Sequence, residues 1–159
     1  MKYVIRLALI CSVIAFTVFA AQYSSHAEQI HNPPYQEMSD KFFNLLQQDK
    51  ATEGVDYLFG TNPALRRMQD ESTNLKAQFG SVHSLMGSYV SHAILTESKV
   101  EGVFVYQHYF VAYERQPISV RIKYYKPGAS WMCYGLQFDG NIADEIQKTA
   151  DSNLAFGAK

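Results

Sequence analysis

Cysteine is scarce in this sequence: there are two, Cys11 and Cys133, in 159 residues. Cys11 lies inside an apolar leader, so one thiol is left to the remainder of the chain. No intramolecular disulfide can then staple the domain, and no cysteine set exists to hold a structural zinc or a haem. Glycine-rich loops are missing as well. None of the nine glycines falls into a phosphate-cradling pattern, which removes the familiar nucleotide-binding signatures. A charge excess of one sign is also absent, with 14 basic residues against 15 acidic ones. Without Lys2 and Arg6 of the leader the balance is 12 against 15, near −3. Such a surface has no electrostatic footprint for nucleic acid or anionic lipid. Internal repeats and low-complexity stretches are absent too.

The chain opens on Met1-Lys2-Tyr3-Val4-Ile5-Arg6, and an apolar run from Leu7 to Ala21 follows, broken only by Ser12 and Thr17. That length suits the core of a signal peptide and is short for a membrane span, which needs ~20 apolar residues. Residues 1–21 therefore read as a cleavable signal peptide, with cleavage as late as Ala27, where Ser25-His26-Ala27 offers small residues at both recognition positions. Ile10 precedes Cys11 where lipid attachment requires a small residue, so a lipoprotein is not expected. The expectation is an exported protein, periplasmic or secreted, with no membrane attachment after cleavage. Residues 28–33 read as a flexible neck, 34–150 as one domain and 151–159 as a frayed tail.

Tyr35, Met38, Phe42, Leu45 and Leu46 recur at three- and four-residue spacing, which predicts an amphipathic helix from Pro34 to Gln48. A second helix is predicted over 51–59, with Val55, Leu58 and Phe59 as its stripe. Gly60-Thr61-Asn62-Pro63 breaks it. Asn62 then reads as the cap of a third helix carrying Leu65, Met68, Leu75 and Phe79, ended by Gly80. After Gly87 the apolar period shortens to two residues. Strands are predicted from Tyr89 to Lys99, Val103 to Arg115, Ile118 to Tyr125 and Ser130 to Phe138, separated by Glu101-Gly102, Gln116-Pro117 and Lys126-Pro127-Gly128. A short helical segment, Ile142 to Gln147, follows. Helices first and strands afterwards give an α+β domain: N-terminal helices packed on a curved four-stranded antiparallel sheet, cone-like in shape.

The segment Tyr113-Glu114-Arg115-Gln116-Pro117, followed by Tyr124-Tyr125-Lys126-Pro127-Gly128, Trp131, Tyr134 and Phe138-Asp139, resembles a family of small exported bacterial domains. That family has a nuclear-transport-factor-2-like, or cystatin-like, fold. Asn74 to Leu85, with its Phe79-Gly80 pair, is similar to the exit of the family's long helix. The resemblance covers about half of the mature chain and implies a cone-shaped architecture. Its members are domains of unknown function, so it assigns no catalytic residue, and Ala93 stands where the family pattern places an acid. Each motif also has a mechanical reading: Pro117 and Pro127-Gly128 set corners, Trp131 and Tyr134 close a small core, and Glu114 with Arg115 form a rim salt bridge.

His92 and His108 fall on neighbouring strands, where they would face each other across the sheet. With a carboxylate they would make a zinc set, but no His-x-His or His-x₃-His spacing supports one, so neither metal nor cofactor is expected. Tyr89, His92, Tyr106, His108 and Arg121 are the candidate ligand-binding residues, offering hydroxyl, imidazole and guanidinium groups to an apolar or aromatic small molecule. An acid/base enzyme of dehydratase or isomerase type is the alternative, drawing on the same imidazoles and tyrosines with Asp139. The two-sided apolar character of 103–113 and 130–138 also predicts a homodimer formed through the sheet. The leading reading is an exported binding or interaction domain, with no reaction assigned.

Overall fold

A computed structural model describes residues 33–157, and the expected signal peptide and most of the expected neck lie outside that range. Among the described residues three helices precede the strands: α1 (Tyr35–Gln47), α2 (Ala51–Gly60) and α3 (Gln69–Met86), with a 3-10 turn at Leu65–Arg67 between the last two. Four strands follow, β1 (Tyr89–Val100), β2 (Phe104–Tyr113), β3 (Ile118–Tyr125) and β4 (Met132–Asp139), then α4 (Ile142–Gly157). The strands pair in sequence order, each antiparallel to the next. The α+β architecture expected from the segregated pattern is therefore present, with a curved and unclosed sheet.

Alternation decides which face of the sheet takes the helices. Val105, Gln107, Tyr109, Val111 and Tyr113 of β2 are buried, as are Ile118, Val120, Ile122 and Tyr124 of β3. They meet Met38, Phe42, Phe43 and Leu46 of α1, Leu58 of α2, and Phe79 and Val82 of α3. The concave side is filled by its own side chains. A cone in outline, it is a packed core inside.

One polar group interrupts that core. Ser39 is 2% exposed on the buried face of α1. Its hydroxyl donates to Gln107 Oε1 at 2.7 Å and lies 2.8 Å from Tyr124 Oη, on a side chain with no exposed surface. Because the serine proton points to Gln107, the tyrosine is the donor in the second bond. Gln107 Nε2 in turn donates to Glu97 Oε2 at 2.7 Å, and Lys99 Nζ meets Glu97 Oε1 at 2.5 Å. A chain of hydrogen bonds thus runs from the rim to the middle of the core. No described buried side-chain polar atom lacks a partner.

The helix ends depart from the sequence reading in three places. Asn62 does not cap a long helix. Its amide donates to the Cys133 carbonyl at 2.8 Å, while Thr61 Oγ1 accepts from the Cys133 amide at 2.9 Å. Both side chains plug the outer edge of β4, and Asn62 Oδ1 also accepts from the Ala64 amide at 2.9 Å, capping a 3-10 turn that ends before α3 begins at Gln69. Gly80 does not end α3 either. The stripe Leu75, Phe79, Val82 and Met86 continues at helical spacing against the core, and Gly87 ends the helix at φ 85°. The last helix, read from sequence as ending near Gln147, continues to Gly157.

The Glu114–Arg115 pair also has another use than a rim salt bridge. Arg115 Nη1 donates to the carbonyls of Ser84 and Leu85 at 2.8 and 3.1 Å, satisfying the C-terminus of α3. Glu114 accepts from the Ser88 amide at 3.0 Å. A β-carbon on Gly87 would sit 2.7 Å from the Glu114 carboxylate, so this junction requires glycine twice over. Tyr134 is not a core residue: it is 57% exposed on the convex face, touching Phe104 and Tyr125 edge-on. Trp131 packs half-buried against Tyr35.

Replacing Ser39 with alanine is expected to cost about 1–3 kcal/mol, since it strands the buried Tyr124 hydroxyl and the Gln107 amide oxygen. Urea denaturation of the single mutant, and of the double mutant Ser39→Ala with Tyr124→Phe, provides the check. The double mutant should recover part of the loss; an unchanged midpoint in Ser39→Ala would remove this group from the structural core.

Candidate functional site

The five candidate residues do not form one site. Tyr89 and His92 face the concave side of β1, where Tyr89 Oη lies 2.5 Å from His92 Nδ1 and the imidazole stacks on Phe43. Tyr106, His108 and Arg121 are on the convex side, because their neighbours Val105, Gln107, Tyr109, Val120 and Ile122 point into the core. His92 pairs with Val111, whereas His108 pairs with Thr96, so the two histidines cannot face each other or share an ion. The cause is local. Irregularities between Tyr89 and Ser91 and between Ile94 and Thr96 each insert an extra residue and reverse the alternation. Tyr89 and His92, three apart, thereby share a face, while Thr96 joins the other.

A pocket of about 280 Å³ opens at the mouth of the cone. Leu46, Ala51, Phe79, Val82 and Tyr113 form its apolar floor; Gln47, Gln48, Asp49, His83, Ser88 and Tyr89 surround it. Asp49 follows the C-terminus of α1 in the left-handed region at φ 59°. It occupies the position where glycine commonly ends a helix: Lys50 donates its amide to the Leu45 carbonyl at 2.9 Å and Asp49 to that of Leu46 at 3.0 Å. Its carboxylate meets His83 Nδ1 of α3 at 3.2 Å. Burial pushes the phenol of Tyr113 up to about 12 and raises that of Tyr89, so both remain protonated donors at neutral pH. His83 and Asp49 were missed in the sequence because they lie 34 positions apart and neither belongs to a motif. The one signal that could have marked Asp49 is its place at the helix exit, three residues after Leu46.

The convex side carries a second constellation. Arg121 Nη2 bridges Asp139 Oδ2 at 2.7 Å and Glu145 Oε1 at 2.6 Å, joining β3, β4 and α4. His108 Nε2 lies 2.7 Å from Ser119 Oγ and 3.5 Å from Glu145 Oε2. Both contacts fall on the same imidazole nitrogen, and Ser119 has no exposed surface. The set therefore lacks the base-and-orienter geometry of a serine nucleophile, which needs both ring nitrogens and an accessible hydroxyl. Ser119 and Glu145 were absent from the candidate set; only the fold brings them to His108. Tyr106 stands beside His108 with ring centroids 6.4 Å apart. Cys133 is fully buried and its thiol is pushed up to about 12 by that burial, which makes it inert. Among the described residues no three metal-ligating side chains converge, and no helix is long and apolar enough to cross a membrane.

No family model and no curated protein matches the chain. Among solved structures it is similar to one from Campylobacter jejuni described as an "NTF2-like transpeptidase", at 13% identity and a TM-score of 0.48. The match covers 64% of this chain and 97% of that one. At that distance neither activity nor ligand passes from one protein to the other.

Burial holds His92 below the usual imidazole range against the opposing pull of Asp40, and holds His108 below it against that of Glu145. The unfolded chain then takes up more protons than the folded one as pH falls below about 6.5. Stability contributed by the two neutral imidazoles is complete above that value and is lost on acidification toward their folded pKa values. Urea midpoints measured at pH 7.5 and pH 5.5 should fall with acidity, and fall less in the double mutant His92→Gln, His108→Gln. Equal slopes in mutant and wild type would assign the acid sensitivity to other groups.

Proposed function

We propose that the chain is an exported small-molecule-binding domain, and that its ligand sits in the pocket at the mouth of the cone. The observation that carries this reading is Asp49. A non-glycine residue in the left-handed region is uncommon, and glycine would end α1 there with less strain. Aspartate at that position sets a carboxylate on His83, at the lip of a pocket with an apolar floor that also presents Tyr89 and two glutamines. Backbone strain retained beside a concave, mixed-polarity site is a recurrent mark of ligand binding. The apolar floor and the aromatic rings of Phe79 and Tyr113 favour a small apolar or aromatic molecule, oriented at its polar end by the tyrosine, the imidazole and the amides. The amino-terminal leader supports export to the periplasm or beyond.

The acid/base alternative draws on the same pocket, since His83 with Asp49 and Tyr89 supplies a proton acceptor, its orienting carboxylate and a donor. Retention of an unaltered molecule separates binding from turnover.

Native mass spectrometry of the protein isolated from its own compartment should show a mass above the cleaved chain, or above an integer multiple of it, by one discrete increment. Asp49→Gly should preserve or raise the thermal midpoint while removing most of that increment, and Tyr89→Phe should weaken it. An adduct kept in full by both variants would place the ligand elsewhere. A clean integer multiple without adduct would turn the reading toward an interaction module assembled through the sheet.

A further inference from the structure

The pocket at the cone mouth contains one polar group that the fold leaves unused. Tyr113 ends β2 at the pocket floor and is only 8% exposed. Its ring packs edge-on against Tyr89, with centroids 5.9 Å apart, yet its hydroxyl has no hydrogen-bond partner among the described residues. No described side-chain oxygen that is sealed from solvent lacks a partner, so this hydroxyl lies in the small open part of the residue. The ionisable groups that act on it are Tyr89 and Asp49, both in the pocket lining, so it opens into the pocket. Its polar neighbours are already engaged, Tyr89 Oη with His92 Nδ1 at 2.5 Å and the Asp49 carboxylate with His83 Nδ1 at 3.2 Å. Tyr124 makes the contrast: deeper in the same core, its hydroxyl is matched by Ser39 at 2.8 Å.

We infer that the ligand of this pocket is an uncharged ring compound with an acceptor oxygen on its inner side, bonded by the Tyr113 hydroxyl. The inference rests on the reading of the cone mouth as a binding pocket and adds the class of molecule. Three features decide that class. Burial, with Tyr89 and Asp49 nearby, pushes the Tyr113 phenol up to about 12, so at neutral pH it holds its proton and acts as a donor. A buried donor left unmatched is costly, so the ligand must bring a lone pair to it. Charge is the second feature. No lysine or arginine lines the pocket, and the Asp49 carboxylate would repel an anion placed at Tyr113. An ammonium would suit Asp49 but has no lone pair with which to accept. Size is the third. At about 280 Å³ the pocket falls just below the usual span of about 300–1,000 Å³, which limits the occupant to one ring with few substituents. Leu46, Phe79 and Val82 give that ring an apolar bed.

NMR titration of the purified mature protein with acetophenone, ethylbenzene, benzoate and benzylammonium, read on the side-chain signals of Val82 and Phe79, tests the inference. Acetophenone should bind about fivefold more tightly than ethylbenzene, the gain from one hydrogen bond, and both ions more weakly than acetophenone. Tyr113→Phe removes only the unmatched hydroxyl and should keep the thermal midpoint. It should bring acetophenone down to the level of ethylbenzene and leave ethylbenzene unchanged. Ethylbenzene or either ion binding as tightly as acetophenone would overturn the acceptor assignment and leave the pocket standing. A preference for acetophenone kept in full by Tyr113→Phe would overturn it in the same way. Pocket signals unmoved by all four probes would overturn the pocket reading itself, and the inference with it.

Discussion

The seat of α1 on the sheet turns on one small hydroxyl in a region otherwise made of Phe, Met, Leu and Val. Ser39 gives its single proton to Gln107 and accepts from Tyr124, and through Gln107 the chain reaches Glu97 and Lys99 at the edge. Hydrophobic burial would hold α1 against the concave face in many registers, since apolar contact has little directional preference. A buried hydrogen-bond set does not tolerate slippage, because any shift leaves the Tyr124 hydroxyl without a partner in a medium that cannot replace it. The packing of α2 and α3 onto α1 inherits this register. So does the pocket at the mouth, since Asp49 is carried on the end of the same helix.

Filling the cone has a consequence for where ligands can go. The concave surface is spent on Phe42, Phe43, Phe79, Tyr109 and Tyr124, which leaves open space at the mouth and on the far side of the sheet. The rim at the mouth is built by helix ends: α1 closes in Asp49, α3 carries His83, and Arg115 secures the end of α3. The space on the convex side lies beyond the first turn of α4, where buried Ile142 and the Arg121 ion cluster anchor the helix. Both openings lie next to a place where a helix or strand departs from regular geometry.

Much of the architecture was legible as pattern. The buried alternation of Ile118, Val120, Ile122 and Tyr124, the helical stripe of α1, and the shift in period after Gly87 each reflect a repeat that burial imposes directly on sequence. The relation of Tyr106, His108 and Arg121 to one face was within reach too, since two of them are two residues apart on one strand. The relation of Tyr89 to His92 was not. Two bulges in β1 reverse the alternation, and a bulge has no compositional mark in a stretch already rich in β-branched and aromatic residues. Asn62 was read only in part, for a related reason: its Oδ1 caps the short turn that follows, as its identity suggests, and only the nearness of Cys133 shows where its amide nitrogen is used.

The order of helices and strands, the scarcity of thiols, the balanced charge and the apolar leader are properties of the sequence by itself. Each depends on composition or on periodicity along the chain, which local physics ties to helix, strand or export signal. Which side chains meet is a different matter. The pairs Asp49–His83, Ser39–Tyr124 and Arg121–Glu145 join residues 24 to 85 positions apart, with no spacing rule between them. Their contact follows from how far each strand slides, where it bulges, and how each helix ends. These are settled by packing three-dimensional shapes together, so the candidate sites came into view with the tertiary structure alone.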